Sequence, residues 1–181
     1  DAPVPANLGD RVFIDTNKDG IQQAGEAGIN GILVNLYRET IDGEGATVSE
    51  LVSYTRTGNN GSGEGGYYLF PKLEPGNYKV EFVYPKTYTD PNDPTYTTVY
   101  HVSPMDAGGD EALDSDGDPA TIADYTDNGT VKNSIQTQSI ILNGVDNSDV
   151  DLGIYELCSL QGTVWYDRDA DGTHSAGETQ T

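Results

Sequence analysis

A twelve-residue acidic segment near the start of the chain, from Asp15 to Glu26, has the spacing of a calcium-binding loop. In such a loop, oxygen ligands fall at positions 1, 3, 5, 7, 9 and 12, and the glycine at position 6, here Gly20, allows a sharp turn. The predicted ligands are Asp15, Asn17, Asp19, Ile21 through its carbonyl oxygen, Gln23 directly or through water, and Glu26 through two oxygens. An acidic turn without a metal is the alternative interpretation, but the spacing out to Glu26 favours Ca²⁺, a hard cation that binds oxygen ligands.

The same spacing occurs a second time, at an offset of 152 positions, from Asp167 to Glu178. The predicted ligands of this second loop are Asp167, Asp169, Asp171, Thr173 and Glu178. The residues from Leu160 onward also repeat those that begin at Leu8, and a repeat of this length is typical of tandem modules. We therefore expect three parts: a linker at residues 1–7, one module at residues 8–155, and the truncated start of a second module at residues 156–181.

Two further groups of aspartates are candidates for a second metal ion. Asp114, Asp116 and Asp118 alternate along an acidic stretch and can share one ion, but no glutamate follows at the twelfth position. Asp149 and Asp151 alternate on a predicted strand, so both carboxylates should lie on one face. Their mutual repulsion would be relieved by a nearby cation. We expect this pair to meet the 114–118 run or the first loop around an ion; a solvated acidic loop is the alternative for the 114–118 run.

The composition limits the possible partners of the chain. It carries 30 acidic against 9 basic residues and a formal net charge of −21, which opposes binding to nucleic acid and to anionic membranes. Bound cations would offset the self-repulsion of so acidic a chain. The single cysteine, Cys158, can form neither an intramolecular disulfide nor a zinc site, and no apolar run is long enough to span a membrane. We expect a monomer outside the cell, where calcium is about millimolar.

Short segments rich in β-branched and aromatic residues, separated by glycine and proline turns, predict an all-β fold. The clearest is residues 77–85, where Tyr78, Val80, Phe82 and Tyr84 alternate with mostly polar residues. The predicted strands are residues 8–14, 32–37, 51–57, 67–70, 77–85, 96–102, 135–142 and 150–155. Residues 103–134 are long, polar and acidic and are predicted to be a loop. Together these features predict an antiparallel β-sandwich.

No catalytic motif is recognisable in the sequence, and we expect the protein not to be an enzyme. His174 falls inside the second loop, and His101 lies between apolar and tyrosine residues on a predicted strand. The many carboxylates fall in clusters with the spacing of metal ligands, which a bound metal explains better than acid–base catalysis.

The chain resembles the B modules of serine–aspartate-repeat surface adhesins (SdrD B-like modules), which belong to the wider collagen-adhesin B-type group. The resemblance is carried in order by residues 9–15 leading into the first loop, 28–36, 66–70, 73–80, 114–119 and 149–155. It implies a prealbumin-like sandwich with an Ig-like Greek key. It also implies that Asp114, Asp116, Asp118, Asp149 and Asp151 are further calcium ligands.

Two functions follow as expectations. In the family that the chain resembles, the modules are tandem stalk elements stiffened by calcium on bacterial cell surfaces or cell walls. This implies a rigid spacer that presents an adhesive or catalytic region and contacts neighbouring modules of the same chain. The alternative is a module that binds an extracellular host protein or polysaccharide through exposed tyrosines and the 103–134 segment.

Overall fold

The computed structural model describes residues 3–89, 92–157, 164, 166–168 and 170–173, and its regular elements are all strands. In chain order they are β1 (Ala6–Ile14), β2 (Leu33–Ile41), β3 (Thr47–Arg56), β4 (Tyr67–Leu73), β5 (Gly76–Tyr84), β6 (Thr87–Thr89), β7 (Thr97–Val102), β8 (Gly117–Asp127), β9 (Thr130–Thr137), β10 (Ile140–Leu142) and β11 (Leu152–Glu156). The predicted all-β sandwich is confirmed. Within the described ranges, no helix is long and apolar enough to span a membrane.

The strands form two sheets. One has the order β4-β1-β11-β7-β6, and the other has the order β3-β2-β5-β9-β8, with β10 also paired to β5. The core between them consists of alternating residues of the inner faces, such as Val34 and Leu36 of β2 and Val80 and Phe82 of β5, which are completely buried. Such burial of large apolar side chains is the main stabilising contribution to the fold.

The first and last strands lie side by side and run in the same direction. β1 pairs with β11 in parallel register, with Val12 opposite Leu152 and Ile14 opposite Ile154. The other pairs between named strands are antiparallel. The sandwich is therefore antiparallel except at this pair, because the chain begins β1 at one end of the sandwich and finishes β11 at the opposite end.

Part of the predicted 103–134 loop is a β-hairpin. β8 and β9 are joined at Asn128 and Gly129, both of which have positive φ angles of 50° and 79°. Asn-Gly is the preferred pair for a two-residue turn of this kind. The loop prediction was therefore wrong for residues 117–134. β1 also begins at Ala6, which is 2% exposed and pairs with Leu73, so the strand starts earlier than the predicted boundary at Leu8.

Candidate metal centre

The first loop, which we call loop 1 (residues 15–26), follows directly from β1 and is organised around a buried aspartate. Asp15 is 0% exposed, and its carboxylate accepts hydrogen bonds from the backbone amides of Lys18 at 2.6 Å and Gly20 at 2.9 Å. Lys18 and Gly20 have φ angles of 65° and 81°, so the chain turns sharply around this carboxylate. Glycine is needed at the second position, because a Cβ atom there would lie 2.5 Å from the carbonyl oxygen of Pro104.

Other predicted ligands of loop 1 close the loop through hydrogen bonds. Glu26 is 8% exposed and accepts the amides of Thr16 at 2.7 Å and Gln23 at 3.0 Å, one on each carboxylate oxygen. Asp19 accepts the amide of Ile21 at 2.9 Å, and this bond is the main cause of its lowered pKa. The side-chain amides of Asn17 and Gln23 also donate to Asp19. The loop is thus held in shape by its own carboxylates.

The second loop repeats this backbone geometry. Asp167 accepts the amides of Asp171 at 3.2 Å and Gly172 at 2.9 Å, as Asp15 accepts those of Asp19 and Gly20 at 3.3 and 2.9 Å. Ala170 and Gly172 have φ angles of 59° and 77°, close to those at the equivalent positions of loop 1. The amide of Thr173 donates to Asp171 at 2.7 Å. The predicted ligands Asp169 and Glu178 lie outside the described residues.

Loop 1 lies against the segment that contains the second group of aspartates. The amide of Ser115 donates to the carbonyl oxygen of Gly20 at 3.0 Å, and the amide of Gln22 donates to that of Leu113 at 2.6 Å. Ile21 and Asp114 form an isolated antiparallel bridge between these bonds. Two stretches that are about 90 residues apart in sequence are therefore joined by backbone hydrogen bonds.

Three aspartates of that segment converge. One carboxylate oxygen from each of Asp106, Asp114 and Asp116 lies within 4.8 Å of the others, and this is the one such group among the residues that the structure describes. Asp114 is 1% exposed, and its Oδ1 atom has no hydrogen-bond partner. Burial, followed by the charges of Glu111 and Asp106, raises the pKa of Asp114. The carboxylates of loop 1 form no comparable group within the described ranges.

Asp116 connects these aspartates to the last strand. The amide of Asp151 donates to Asp116 Oδ2 at 2.7 Å, and the amide of Asp116 donates to the carbonyl oxygen of Asp151 at 2.9 Å. Asp151 is completely buried; its Oδ1 atom accepts the amide of Arg11 at 3.0 Å, whereas its Oδ2 atom has no partner. Asp151 therefore contacts Asp116 of the 114–118 run, whereas the ion that the pair Asp149 and Asp151 was expected to share with this run stays a prediction.

The electrostatics of this region reflect many carboxylates and few cations. Burial, followed by the charge of Asp10, raises the pKa of Asp151 to about 9. Burial also raises the pKa of Asp116 to about 8. The pKa of Asp10, on β1, is raised to about 6 by burial and by the charge of Asp149. We call Asp10, Asp106, Asp114, Asp116, Asp149 and Asp151 the acidic cluster.

The acidic cluster fits a hard cation. Its donors are all oxygens, and Asp114 and Asp151 each bury a carboxylate oxygen without a hydrogen-bond partner, which is costly unless a cation or proton compensates it. The residues present are therefore suited to hold Ca²⁺, which prefers carboxylate and carbonyl oxygens. Bound there, the ion would supply positive charge and coordination, and the chain would supply the buried oxygens.

The structure places some of the predicted ligands apart from the others. Asp118 lies on β8, where its Oδ1 accepts the amide of Ala120 at 2.9 Å, and it does not belong to the group formed by Asp106, Asp114 and Asp116. Asp149 and Asp151 both precede β11, which begins at Leu152, so the two do not share a face of that strand. Sequence reasoning did not name Asp10 and Asp106, which the structure adds to the acidic cluster. Asp106 begins an acidic, glycine-rich stretch that was a usable signal, whereas the approach of Asp10 depends on the pairing of the first and last strands.

The features that favour a ligand-binding module do not converge as the acidic cluster does. Tyr68, Tyr78 and Tyr84 are buried in the sandwich, whereas Tyr54 is 72% exposed on β3. A groove of about 550 Å³ lies between β3 and β4; it is lined by residues that include Arg56, Asn59, Tyr67 and Leu69. His101 stacks on Tyr155 with ring centres 5.5 Å apart, so it is placed as a packing residue. His174 lies outside the described residues.

Comparison with known proteins is consistent with this geometry. The family model of the SdrD B-like domain matches residues 6–154. Serine-aspartate repeat-containing protein D of Staphylococcus aureus (strain Newman) is 33% identical over 174 residues, which are 95% of this chain and 10% of that protein. Serine-aspartate repeat-containing protein C of the same strain is 36% identical over 174 residues, covering 95% of this chain and 14% of that protein. The chain thus spans about a tenth of the length of these relatives.

Proposed function

The chain belongs to the SdrD B-like domain family, and we propose that it is a calcium-stabilised repeat module of a bacterial cell-surface protein. In this proposal the module acts as a rigid spacer that holds an adhesive or catalytic region away from the cell and contacts neighbouring modules of the same chain. The similarity to serine-aspartate repeat-containing proteins of Staphylococcus aureus supports the assignment to a repeat-containing bacterial protein. We further propose that the module is extracellular, monomeric and without enzymatic activity.

The observation that carries the calcium proposal is the pair of buried, unpartnered oxygens, Asp114 Oδ1 and Asp151 Oδ2, within one acidic cluster. The pKa values of Asp116 and Asp151 are raised because the folded chain removes these carboxylates from water and brings them near other carboxylates. A divalent cation would reverse this unfavourable effect. The repeated backbone geometry of loop 1 and the second loop supports a further ion in each loop.

Calcium would stabilise the module by linkage, because it binds the folded sites and scarcely binds the unfolded chain. At a free concentration a hundred times its dissociation constant, one ion adds about 2.7 kcal/mol to the free energy of unfolding. That is a large part of the roughly 5–15 kcal/mol that a domain has. The acidic cluster joins β1, β11 and the 106–116 segment, so an ion there would tie distant parts of the chain together.

Thermal unfolding in calcium and in a chelator, together with the metal content of the folded protein, tests this proposal. We expect a large rise in the unfolding midpoint with calcium and at least one bound ion per module. Magnesium at the same concentration is the control, because it demands near-octahedral geometry and retains its water. An equal midpoint in calcium and chelator would refute the calcium mechanism.

A second candidate function is a binding module for an extracellular protein or polysaccharide. The groove between β3 and β4, together with the exposed Tyr54 and Leu69, favours this function. Binding of immobilised extracellular matrix proteins and glycans would be measured for the parent chain and for Tyr54→Ala. A ligand whose binding is lost in Tyr54→Ala, at an unchanged unfolding midpoint, would favour the binding module over the spacer.

A further inference from the structure

The last described residues of the module are held by side chains from two other elements. The carbonyl oxygen of Leu157, directly after β11, accepts hydrogen bonds from the hydroxyls of Tyr96 at 3.0 Å and Thr98 at 3.3 Å. Tyr155 stacks on His101 of β7, and the ammonium group of Lys18 in loop 1 lies 5.6 Å from the centre of its ring. The point at which the chain leaves the sandwich is therefore fixed in position and direction.

β7 extends beyond the end of β11. The antiparallel register places Tyr100 opposite Glu156, the last residue of β11, so the residues Thr97–Val99 lie beyond that strand. On their other edge the same three residues pair with β6, which makes β6 and β7 a projecting hairpin. Tyr88 and Tyr100 pack edge to face across this hairpin, with ring centres 5.9 Å apart. The projecting part is thus supported by pairing and by aromatic packing.

The edge of Thr97–Val99 that faces away from β6 lies next to the end of β11, after which a following module would begin. Antiparallel pairing that continued beyond Glu156 would therefore use the β7 residues Thr97–Val99. The offset between the two loops, from Asp15 to Asp167, places the equivalent of Ala6, the first residue of β1, at position 158. Only Leu157 therefore separates the end of β11 from the start of the repeat.

We propose that the β6–β7 hairpin is a docking surface for the following module of the same chain and fixes the angle between the two modules. The hydroxyls of Tyr96 and Thr98 and the backbone groups on the edge of Thr97–Val99 that faces away from β6 supply polar contacts for an extended chain. Among the described residues 86–89 and 92–99, Asp93 is the one acidic side chain, and Lys86 forms an ion pair with Asp124, so this surface lacks the strong negative charge that would repel a second acidic module. The inference rests on the tandem arrangement in the proposed function, but not on calcium binding.

The test uses a tandem chain in which residues 3–157 are followed directly by a second copy of residues 6–157. This chain lacks Cys158, so Ser49→Cys, at an exposed position of β3 in each copy, provides two unique sites for spin labels. Pulsed electron paramagnetic resonance in saturating calcium then measures the distance between the modules. The near-isosteric double variant Tyr96→Phe/Thr98→Val, made in the first copy, removes both hydroxyls that hold Leu157.

We expect one narrow distance peak in the parent chain and its loss in the double variant, with the unfolding midpoint of each module unchanged. Thr89→Val is the matched control. Thr89 lies on β6, the strand of the hairpin farther from Leu157, and the variant removes its hydroxyl contact with Thr97 of β7, so the narrow peak should be kept. A narrow peak in the double variant, or a broad distribution in the parent, would overturn the inference. Failure of calcium to raise the midpoint, with the peak still dependent on the hairpin, would refute the calcium proposal alone.

Discussion

Asp116 and Asp151 are joined by two hydrogen bonds: the backbone amide of Asp151 donates to the side-chain carboxylate of Asp116, and the backbone amide of Asp116 donates to the carbonyl oxygen of Asp151. These bonds hold two carboxylates near each other although their charges repel. Burial is the largest cause that raises the pKa of Asp116 to about 8 and that of Asp151 to about 9, and the charges of neighbouring carboxylates add to it. The fold therefore contains a region that is unfavourable when fully ionised and that a cation would make favourable.

Replacing Asp151 with asparagine should have opposite effects with and without calcium. The variant retains an oxygen for the amide of Arg11 but removes a buried carboxyl that, with a pKa of about 9, must take up a proton on folding at pH 8. At pH 8 in chelator, we expect the free energy of unfolding to rise by about 1 kcal/mol, the equivalent of roughly one pKa unit. In calcium, we expect weaker binding and a smaller rise in midpoint than in the parent chain.

Chemical denaturation and calcium titration measure both effects. Asp146→Asn is a suitable control, because Asp146 is an exposed carboxylate that binds Asn7 and lies outside the acidic cluster. A loss of stability in chelator combined with unchanged calcium affinity would contradict the assignment of Asp151.

The stability of the metal-free protein should fall as pH rises from about 5 to 9. Asp10, Asp116 and Asp151 have folded-state pKa values of about 6, 8 and 9, above the ordinary value of 3.8, so the folded state binds more protons than the unfolded state in this range. Their stabilising contribution is present below pH 3.8 and is lost as pH rises through the folded values. Saturating calcium should reduce this fall, because ligand carboxylates bind the ion without a proton.

Unfolding midpoints at one-unit pH intervals, in chelator and in calcium, test this dependence. The range should begin near pH 5, because the pKa of Asp127 is lowered to about 2 by Arg56 and Lys132, and its stabilising effect is lost only at lower pH. A metal-free midpoint that rises steadily towards pH 9 is the opposite of the expected result.

Gly20→Ala should be more destabilising than Gly25→Ala, although both glycines have positive φ angles of 81° and 99°. A Cβ atom at Gly20 would lie 2.5 Å from Pro104 O and 2.8 Å from Ala107 Cβ, whereas one at Gly25 would meet no atom within 4 Å. We expect about 1 kcal/mol of backbone strain in Gly25→Ala and several kcal/mol in Gly20→Ala. Similar midpoints for the two variants would show that loop 1 does not pack against the 104–107 segment.

Asp15→Asn should remove one calcium ion per module. Both carboxylate oxygens of Asp15 accept backbone amides, so the variant should also lose about 1 kcal/mol of stability in chelator. Asp42→Asn is the matched control: Asp42 accepts the amides of Glu44 and Ala46 in the β2–β3 turn, far in sequence from the predicted ligands. Metal analysis that gives equal calcium content for the parent and Asp15→Asn would contradict a site in loop 1.

The features that were best predicted from the sequence are the strands that local residue patterns determine. The alternation of Tyr78, Val80, Phe82 and Tyr84 predicted residues 77–85, and β5 covers Gly76–Tyr84. The β8–β9 hairpin was missed because the 103–134 segment was interpreted from its polarity. Its Asn128-Gly129 pair, flanked by threonine-rich strands, was a sufficient local signal for a hairpin.

The acidic cluster could be predicted only in part, because it depends on contacts between distant residues. The spacing of Asp114 and Asp116 marked one side of it, and Asp151 marked another. The contribution of Asp10 follows from the parallel pairing of β1 with β11, which no periodicity within either strand encodes. Only the three-dimensional arrangement of the first and last strands brings these groups together.

The parallel pairing of β1 and β11 also determines how the module would carry tension. The chain enters β1 at one end of the sandwich and leaves β11 at the other, so a pull on the two termini slides these neighbouring strands past each other. The bonds around Val12–Leu152 and Ile14–Ile154, and that from Asp15 N to Ile154 O, would then bear the load together instead of opening one at a time. The resistance of the module to stretching is thus governed by its unfolding rate, and it depends on the hydrogen bonds between β1 and β11.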